Sequence, residues 1–356
     1  MVDVTTAPGR RVPPWMLPAL LLVAIMGVLT CATLLVRQPR QPGNAPEMAA
    51  MATVVPSPEL HAGITGIFIQ PGDGRRPILD EIEGASSSID LEIYIVSDNA
   101  ILDALETAQA RGVAVRVLLE EHPFGGGGGQ QGIFDRLSRA GIDVRWSNPV
   151  FRFSHIKMLV VDRELVIIMN QNLTASSFIG NREFGVITTN PEAVQTASAI
   201  FEADWTQGAE PPPGPLVVSP TNARSSLRSL IESAQSDVDV YAEVLRDPEL
   251  LDALAAAAQR GVTVRVIISP SASFDVERAA LAEAGVEVRL LSSLYVHAKM
   301  IMADGQRAYV GSQNISTTSL DQNRELGIIV SDPVSLARLS RVFEIDWTAA
   351  VPQELP

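Results

Sequence analysis

Two stretches of this chain, FSHIKMLVVDRELVIIMNQN from Phe153 and LYVHAKMIMADGQRAYVGSQN from Leu294, repeat one pattern. A duplication of this kind constrains the fold more than any composition figure, because it asks for two similar lobes that present equivalent residues. In each copy a histidine and a lysine stand two apart, His155 with Lys157 and His297 with Lys299, inside apolar runs that alternate as strands do. Residues two apart on a strand share a face.

Each run reaches a short polar break, Arg163-Glu164 or Gly305-Gln306, and a second apolar run follows, which predicts a two-residue hairpin turn. With the first turn centred between 163 and 164, paired positions sum to 327, so His155 faces Asn172 and Lys157 faces Asn170. The second hairpin sums to 611 and sets His297 against Asn314 and Lys299 against Ser312. Each hairpin is expected to gather an imidazole, an ammonium and two short hydrogen-bonding side chains. Lys157 and Lys299 are the only lysines in the chain, and arginine supplies every other fixed positive side chain. A compact point charge beside a histidine is a more particular demand than a solvated cation, which arginine serves equally well.

The pattern H-x-K, four residues, Asp, then G-S-x-N resembles the signature of the phospholipase D superfamily. It is present as His155, Lys157, Asp162 and Asn172, and as His297, Lys299, Asp304, Gly311, Ser312 and Asn314. The resemblance implies a glutamate that steadies each histidine. Glu183 lies 28 residues beyond His155 (183 minus 155) and Glu325 lies 28 beyond His297 (325 minus 297), in the matching strings NREFG and NRELG. The first copy departs from the signature with Met169-Asn170 in place of Gly-Ser, although Asn170 can still donate a hydrogen bond.

The fold class expected is α/β: two homologous lobes, each a mixed, mostly parallel sheet flanked by helices, preceded by one transmembrane helix. Residues 1–14 read as a polar tail. Trp15 to Val36 run 22 residues without a charge, enough at ~1.5 Å per residue to cross a ~30 Å hydrocarbon core. A cleaved signal peptide is the rival, although this apolar run exceeds the usual ~7 to 15 residues. Residues 37–61 read as a linker, 62–207 as the first lobe, 208–215 (GAEPPPGP) as a boundary and 216–350 as the second lobe. RGVAVRVLL and EADWT in the first lobe return as RGVTVRVII and EIDWT in the second. Trp205 and Trp347 of the latter pair are expected in the core. The five-glycine run from Gly125 lacks the Lys-Ser/Thr of a nucleotide-phosphate loop, and Glu120, Glu121 and His122 lack a second histidine for a metal site.

The formal charge is -14, and the first 60 residues contribute +1 from four arginines against Asp3, Glu47 and Glu59. The remainder therefore carries -15, which repels a polyanion at long range and disfavours nucleic acid as a partner. The single cysteine, Cys31, excludes an intrachain disulfide framework. The resemblance implies a phosphohistidine intermediate, with His155 as nucleophile, His297 as acid and Glu183 and Glu325 holding the imidazoles. Lys157, Lys299, Asn170, Asn172, Ser312 and Asn314 are expected on the phosphate, Asp162 and Asp304 in structural roles, and no metal or other cofactor. The function expected is hydrolysis of a phospholipid head-group ester by a monomer anchored in the cell membrane through residues 15–36, with its catalytic domain outside the cytoplasm. Phosphatidyl transfer of the cardiolipin-synthase kind, a nuclease and a non-enzymatic binding module are the alternatives. Cardiolipin synthases carry an N-F-D-x-R-S string after the motif, where this chain has Asn172-Leu173-Thr174 and Asn314-Ile315-Ser316.

Overall fold

The computed structural model describes residues 63–124, 130–270 and 275–352. The tail, the apolar span at 15–36, its linker and the glycine run at 125–129 lie outside the described residues. Among those described, no helix is long and apolar enough to cross a membrane.

The first lobe runs β1 (Ile64–Gln70), α1 (Arg76–Gly84), β2 (Ser88–Ile93), α2 (Asn99–Ala110), β3 (Ala114–Leu119), α3 (Gln130–Arg139), β4 (Asp143–Trp146), β5 (Lys157–Val161), β6 (Leu165–Met169), α4 (Ala175–Ile179), β7 (Asn181–Thr188) and α5 (Pro191–Thr206). The second repeats the plan as β8 (Leu216–Ser219), α6 (Ala223–Glu232), β9 (Asp237–Tyr241), α7 (Pro248–Gln259), β10 (Thr263–Ile268), α8 (Asp275–Glu283), β11 (Glu287–Leu290), β12 (Tyr295–Val296), β13 (Met300–Ala303), β14 (Arg307–Gly311), α9 (Thr317–Asp321), β15 (Glu325–Val330), α10 (Pro333–Ala349) and β16 (Val351–Pro352).

The sheets follow the orders β1-β7-β6-β5-β2-β3-β4 and β16-β11-β10-β9-β13-β14-β15-β8. They are mixed, as expected, but not mostly parallel. Only β2-β3-β4 and β9-β10-β11 are parallel runs, and the other pairings within these two orders are antiparallel. The reason is connection length: parallel neighbours need a helical crossover, and the motif strands are joined by short turns instead.

Those turns correct the expected register by one residue. Met158 pairs with Ile168 and Val161 with Leu165, while Met300 pairs with Val310 and Ala303 with Arg307, so the sums are 326 and 610. Three residues form each loop rather than two. Asp162 and Arg163 have φ of 52° and 57°, and Asp304 and Gly305 have φ of 54° and 61°. Both aspartates tolerate this left-handed backbone because the turn places their carboxylates against the start of the neighbouring strand. Asp162 accepts from the amides of Ser86, Ser87 and Ser88 at 2.7–2.9 Å, and Asp304 from those of Gln235, Ser236 and Asp237 at 2.7–3.1 Å. Partial burial opposes ionisation of both, but these amides outweigh it and hold each carboxyl below its ordinary range.

A one-residue slip exchanges the faces of a strand. One face of β5, β6 and β7, with Met158, Val160, Val166, Ile168, Phe184 and Val186, packs against the equivalent face of the second sheet, with Met300, Met302, Ala308, Val310, Leu326 and Ile328. Helices α5 and α10 complete this shared core through Phe201, Trp205, Phe343 and Trp347. The two tryptophans are 6% and 7% exposed and stack on Phe201 and Phe343, so they serve packing. The opposite sheet faces bury against α1 and α2 in one lobe and α6 and α7 in the other. Asp98, at the N-terminal end of α2, makes no cap hydrogen bond and binds Arg75 instead, whereas its counterpart Asp247 both caps α7 and binds Arg224.

Buried ion pairs cross between the lobes and explain the repeated strings. Arg182 of NREFG donates to Asp346 of EIDWT at 2.6 and 2.9 Å, and Arg324 of NRELG donates to Asp204 of EADWT at 2.8 Å. Each lobe thus supplies the arginine for the other lobe's aspartate.

Candidate active site

The chain just before each motif strand pairs with the other lobe. Ser154 bridges to Arg324, the His155 amide donates to the Arg324 carbonyl at 2.7 Å, and Tyr295 and Val296 pair in parallel with Asn181 and Arg182. This exchange sets each histidine beside the other lobe's glutamate. His155 Nδ1 lies 2.9 Å from Glu325 Oε2, and His297 Nδ1 lies 2.8 Å from Glu183 Oε2. The 28-residue spacing within a lobe leaves open which histidine each glutamate serves; the fold gives each glutamate to the histidine of the other lobe.

The glutamates are themselves fixed. Both side chains are fully buried, and the Asn181 amide donates to Glu183 Oε1 at 3.0 Å while the Asn323 amide and the Ser319 hydroxyl donate to Glu325 Oε1 at 2.9 and 2.6 Å. In each N-R-E string the asparagine aligns the glutamate, the arginine ties the lobes and the glutamate meets the histidine. Burial pushes Glu325 up, yet His155 and Lys157 outweigh it and hold its carboxyl below the ordinary range. An ionised carboxylate only accepts, so Nδ1 of its partner imidazole carries the proton and Nε2 is left to react.

The lysines stand under the histidines. Lys157 Nζ donates to the His155 carbonyl at 2.9 Å and Lys299 Nζ to the His297 carbonyl at 2.6 Å, with both residues no more than 2% exposed. Burial drives His155 down to about 4, with Lys157 and Lys299 adding to the effect and Glu325 opposing it. Burial likewise drives the Lys157 ammonium down to about 7, with repulsion from Lys299 in the same direction and the pull of Glu325 against it. The uncharged imidazole of His155 is therefore the dominant form near neutrality.

Asn172 and Asn314 follow the motif strands, half-buried, and the side-chain carbonyl oxygen of each is buried with no protein partner. Such orphaned polar atoms are uncommon in a packed interior. Thr174 and Ser316, where the cardiolipin-synthase string departs, cap α4 and α9.

Asn170 is a different case. Its amide donates to the carbonyls of Lys299 and Gly311 at 3.1 and 2.6 Å, and its oxygen accepts from the Phe184 amide at 2.8 Å. The register slip turns it to the shared core, where it clamps the lobes together and does not face Lys157. Ser312 holds the matching place and accepts from the Leu326 amide at 3.1 Å. The neighbouring substitution has a packing cause. A Cβ at Gly311 would collide with the Tyr309 hydroxyl and the Gly327 backbone. Isoleucine, Ile167, stands at the position of Tyr309 in the first lobe, so buried Met169 fits where glycine is required in the second.

Two site residues were not anticipated. The Tyr94 ring lies 4.5 Å from the His155 ring and 4.9 Å from Lys157 Nζ. Lys299 Nζ donates to Glu243 Oε2 at 2.6 Å, the Tyr295 hydroxyl donates to Glu243 Oε1 at 3.1 Å, and His297 Nε2 is 3.6 Å from the same carboxylate. Burial raises Glu243, but His297 and Lys299 prevail and keep it well below the carboxylate range. Both residues lie just beyond β2 and β9, and the shared Asp98 and Asp247 could have aligned them. Glu120, weighed as a metal ligand, accepts from the Ser154 amide at 2.7 Å and the Ser147 hydroxyl at 3.0 Å and so anchors the loop ahead of His155. Among the described residues no group of three or more His, Cys, Asp or Glu side chains is placed to hold a metal ion.

The chain matches the model of the family described as "Cardiolipin synthase, PLD-like domain" at residues 78–205 and again at 227–347. A cardiolipin synthase of Geobacillus kaustophilus is 25% identical over 88% of this chain and 72% of its own length. Phospholipase D Y of Dictyostelium discoideum is 38% identical, over 30% of this chain and only 27% of that protein. Among solved structures, phosphatidylserine synthase of Haemophilus influenzae shares the fold with a TM-score of 0.63 at 13% identity, over 82% of this chain and 88% of that one. Two matches to one domain model, one in each lobe and each containing a complete H-x-K-x4-D motif, place the chain in the phospholipase D superfamily.

Proposed function

We propose that the protein transfers a phosphatidyl group from one alcohol to another through a phosphohistidine, in the manner of a cardiolipin synthase. The observation that carries the chemistry is the pair of imidazoles, each with Nδ1 held by a carboxylate of the opposite lobe and Nε2 left to react. One Nε2 attacks phosphorus and the other gives a proton to the departing oxygen, so a single hard displacement becomes two easier ones. Lys157 and Lys299 balance the charge on the non-bridging oxygens, and Asn172 and Asn314 supply hydrogen bonds to the phosphate, whereas Ser312 is held in the core by the Leu326 amide.

Transfer is preferred to the expected hydrolysis because the relatives matched along most of both chains are named cardiolipin synthases. Water competing with the acceptor alcohol at the same phosphohistidine would give hydrolysis, so the two readings share one site. The excess negative charge outside the first 60 residues supports a substrate presenting a single phosphate over a polyanion. Anchoring by residues 15–36 would keep the site near lipid.

The experiment is incubation of purified protein with phosphatidylglycerol vesicles, with single-stranded DNA in parallel at low salt. Cardiolipin and free glycerol are expected. Phosphatidic acid without cardiolipin would return the reading to hydrolysis, and cut DNA with intact lipid would overturn both.

A further inference from the structure

The two half-sites are equivalent at the histidine, lysine and glutamate, and among their differences one lies directly against the histidine and lysine. Met158 pairs with Glu92 and Met300 with Tyr241, so counting two residues along each strand sets Tyr94 and Glu243 at the same point of the repeat. Tyr94 lays an aromatic ring against His155 and Lys157. Glu243 lays an anion against His297 and Lys299. The nitrogen that faces Glu243 is Nε2, the one that Glu183 leaves free.

We propose that Glu243 is a positioning residue that breaks the two-fold equivalence of the site and fixes the direction of the reaction, keeping His297 as the acid and leaving His155 as the nucleophile. The inference rests on the phosphohistidine reading above. The His297 ring lies between two carboxylates, Glu183 at 2.8 Å from Nδ1 and Glu243 at 3.6 Å from Nε2, so a proton placed on Nε2 faces an anion. An imidazole against Tyr94, with one carboxylate and a buried ammonium for neighbours, is favoured as the neutral base with a lone pair to offer. Lys299 shares the Glu243 carboxylate and Tyr295 donates to its other oxygen, which tempers the pull on the proton so that it can still leave.

The balance of the two steps follows. His155 Nε2 forms a bond to phosphorus, the bond to the leaving alcohol breaks, and that oxygen takes the proton from His297 Nε2. Neutral His297 then removes the proton of an incoming alcohol or water, whose oxygen bonds to phosphorus as the nitrogen-phosphorus bond breaks. Glu243 stabilises the imidazolium that this second step restores. The site ends as it began, with one alcohol exchanged for another.

The test is Glu243→Gln in the full chain, assayed on phosphatidylglycerol and on aryl phosphodiesters whose leaving phenols range from poor to good, with bis(4-nitrophenyl) phosphate at the good end. A positioned acid contributes on the order of 10²-fold where the leaving oxygen needs a proton and little where it does not. The variant should lose about that much on the poor leaving groups and on lipid, keep most of its rate on bis(4-nitrophenyl) phosphate, and show a steeper dependence on leaving-group basicity. Equal losses on all the diesters would mean a merely structural role and overturn the proposal, as would labelled phosphate trapped on His297 in the unsubstituted enzyme. If lipid is untouched while the aryl series is cut, the lipid reading fails alone and the series still decides the role of Glu243. Absence of turnover on every diester overturns both.

Discussion

Glu325 of the second lobe holds His155 of the first at 2.9 Å, and Glu183 returns the contact to His297 at 2.8 Å. Neither lobe therefore contains a complete acid-base pair. The site exists only when the two sheets are joined, which the crossed Arg182–Asp346 and Arg324–Asp204 pairs and the Asn170 clamp ensure.

Exchanging the glutamates should separate the two chemical roles. Glu325→Gln removes the carboxylate behind His155 and should slow labelling of the enzyme by a radioactive diester by roughly 10²- to 10⁴-fold, whatever the leaving group. Glu183→Gln acts behind His297, the acid of the proposal, so labelling by bis(4-nitrophenyl) phosphate should survive while lipid turnover falls. The opposite pattern in rapid-quench labelling would assign the histidines the other way.

The crossed ion pairs carry a stability prediction. Arg182→Ala leaves Asp346 charged in an interior where its side chain is 5% exposed, and such a loss costs about 3–5 kcal/mol. Replacing both partners, Arg182→Met with Asp346→Leu, should recover much of that cost, because no buried charge remains. Urea denaturation of the single and double variants measures the difference; equal destabilisation by both would show that packing at Arg182, not charge, is what matters.

The pH dependence of kcat/KM reports on the free enzyme. Below a pH of about 4 His155 gains a proton and cannot attack, so the rate should fall on that side. Above about 7 the buried Lys157 loses its proton and with it the charge that balances the phosphate, so the rate should fall there too. Lys157→Arg, always charged, should remove the part of the alkaline limb that Lys157 causes and move the fall to higher pH, even if its overall rate is lower. A profile flat between pH 7 and 9 would contradict the assignment to Lys157.

Glu92 gives a folding prediction with a defined sign. Its side chain accepts from Ser154 at 2.6 Å and its other oxygen is buried without a partner. Burial, with the nearby Asp204 carboxylate, raises it from 4.5 to about 8. The folded state therefore holds a proton that the unfolded chain releases, so stability falls as pH rises from about 4.5 towards 8 and levels off above it. Glu92→Gln should flatten this dependence and melt higher than the parent at pH 8. Thermal melts of both proteins between pH 5 and 9 check it, and parallel curves would rule the glutamate out.

From sequence alone, the repeat was enough to locate the H-x-K pairs, the two lobes, the glutamates and the paired motif strands, because these rest on local periodicity and on residues duplicated at fixed spacing. The hairpin register was not legible. Arg163-Glu164 reads as a two-residue turn, and only the backbone shows the left-handed Asp162 and Asp304 lengthening it to three and turning Asn170 into the lobe contact. The exchange of Glu183 and Glu325 was hidden for a related reason: a spacing of 28 residues reports position along the chain, whereas the pairing depends on which lobe's strand lies beside which histidine. Tyr94 and Glu243 carry no shared motif, and their importance comes from lying next to an imidazole across the sheet. Local chemistry was set by residue order; partnership between the half-sites was decided by the burial of two sheet faces against each other, which no one-dimensional pattern contains.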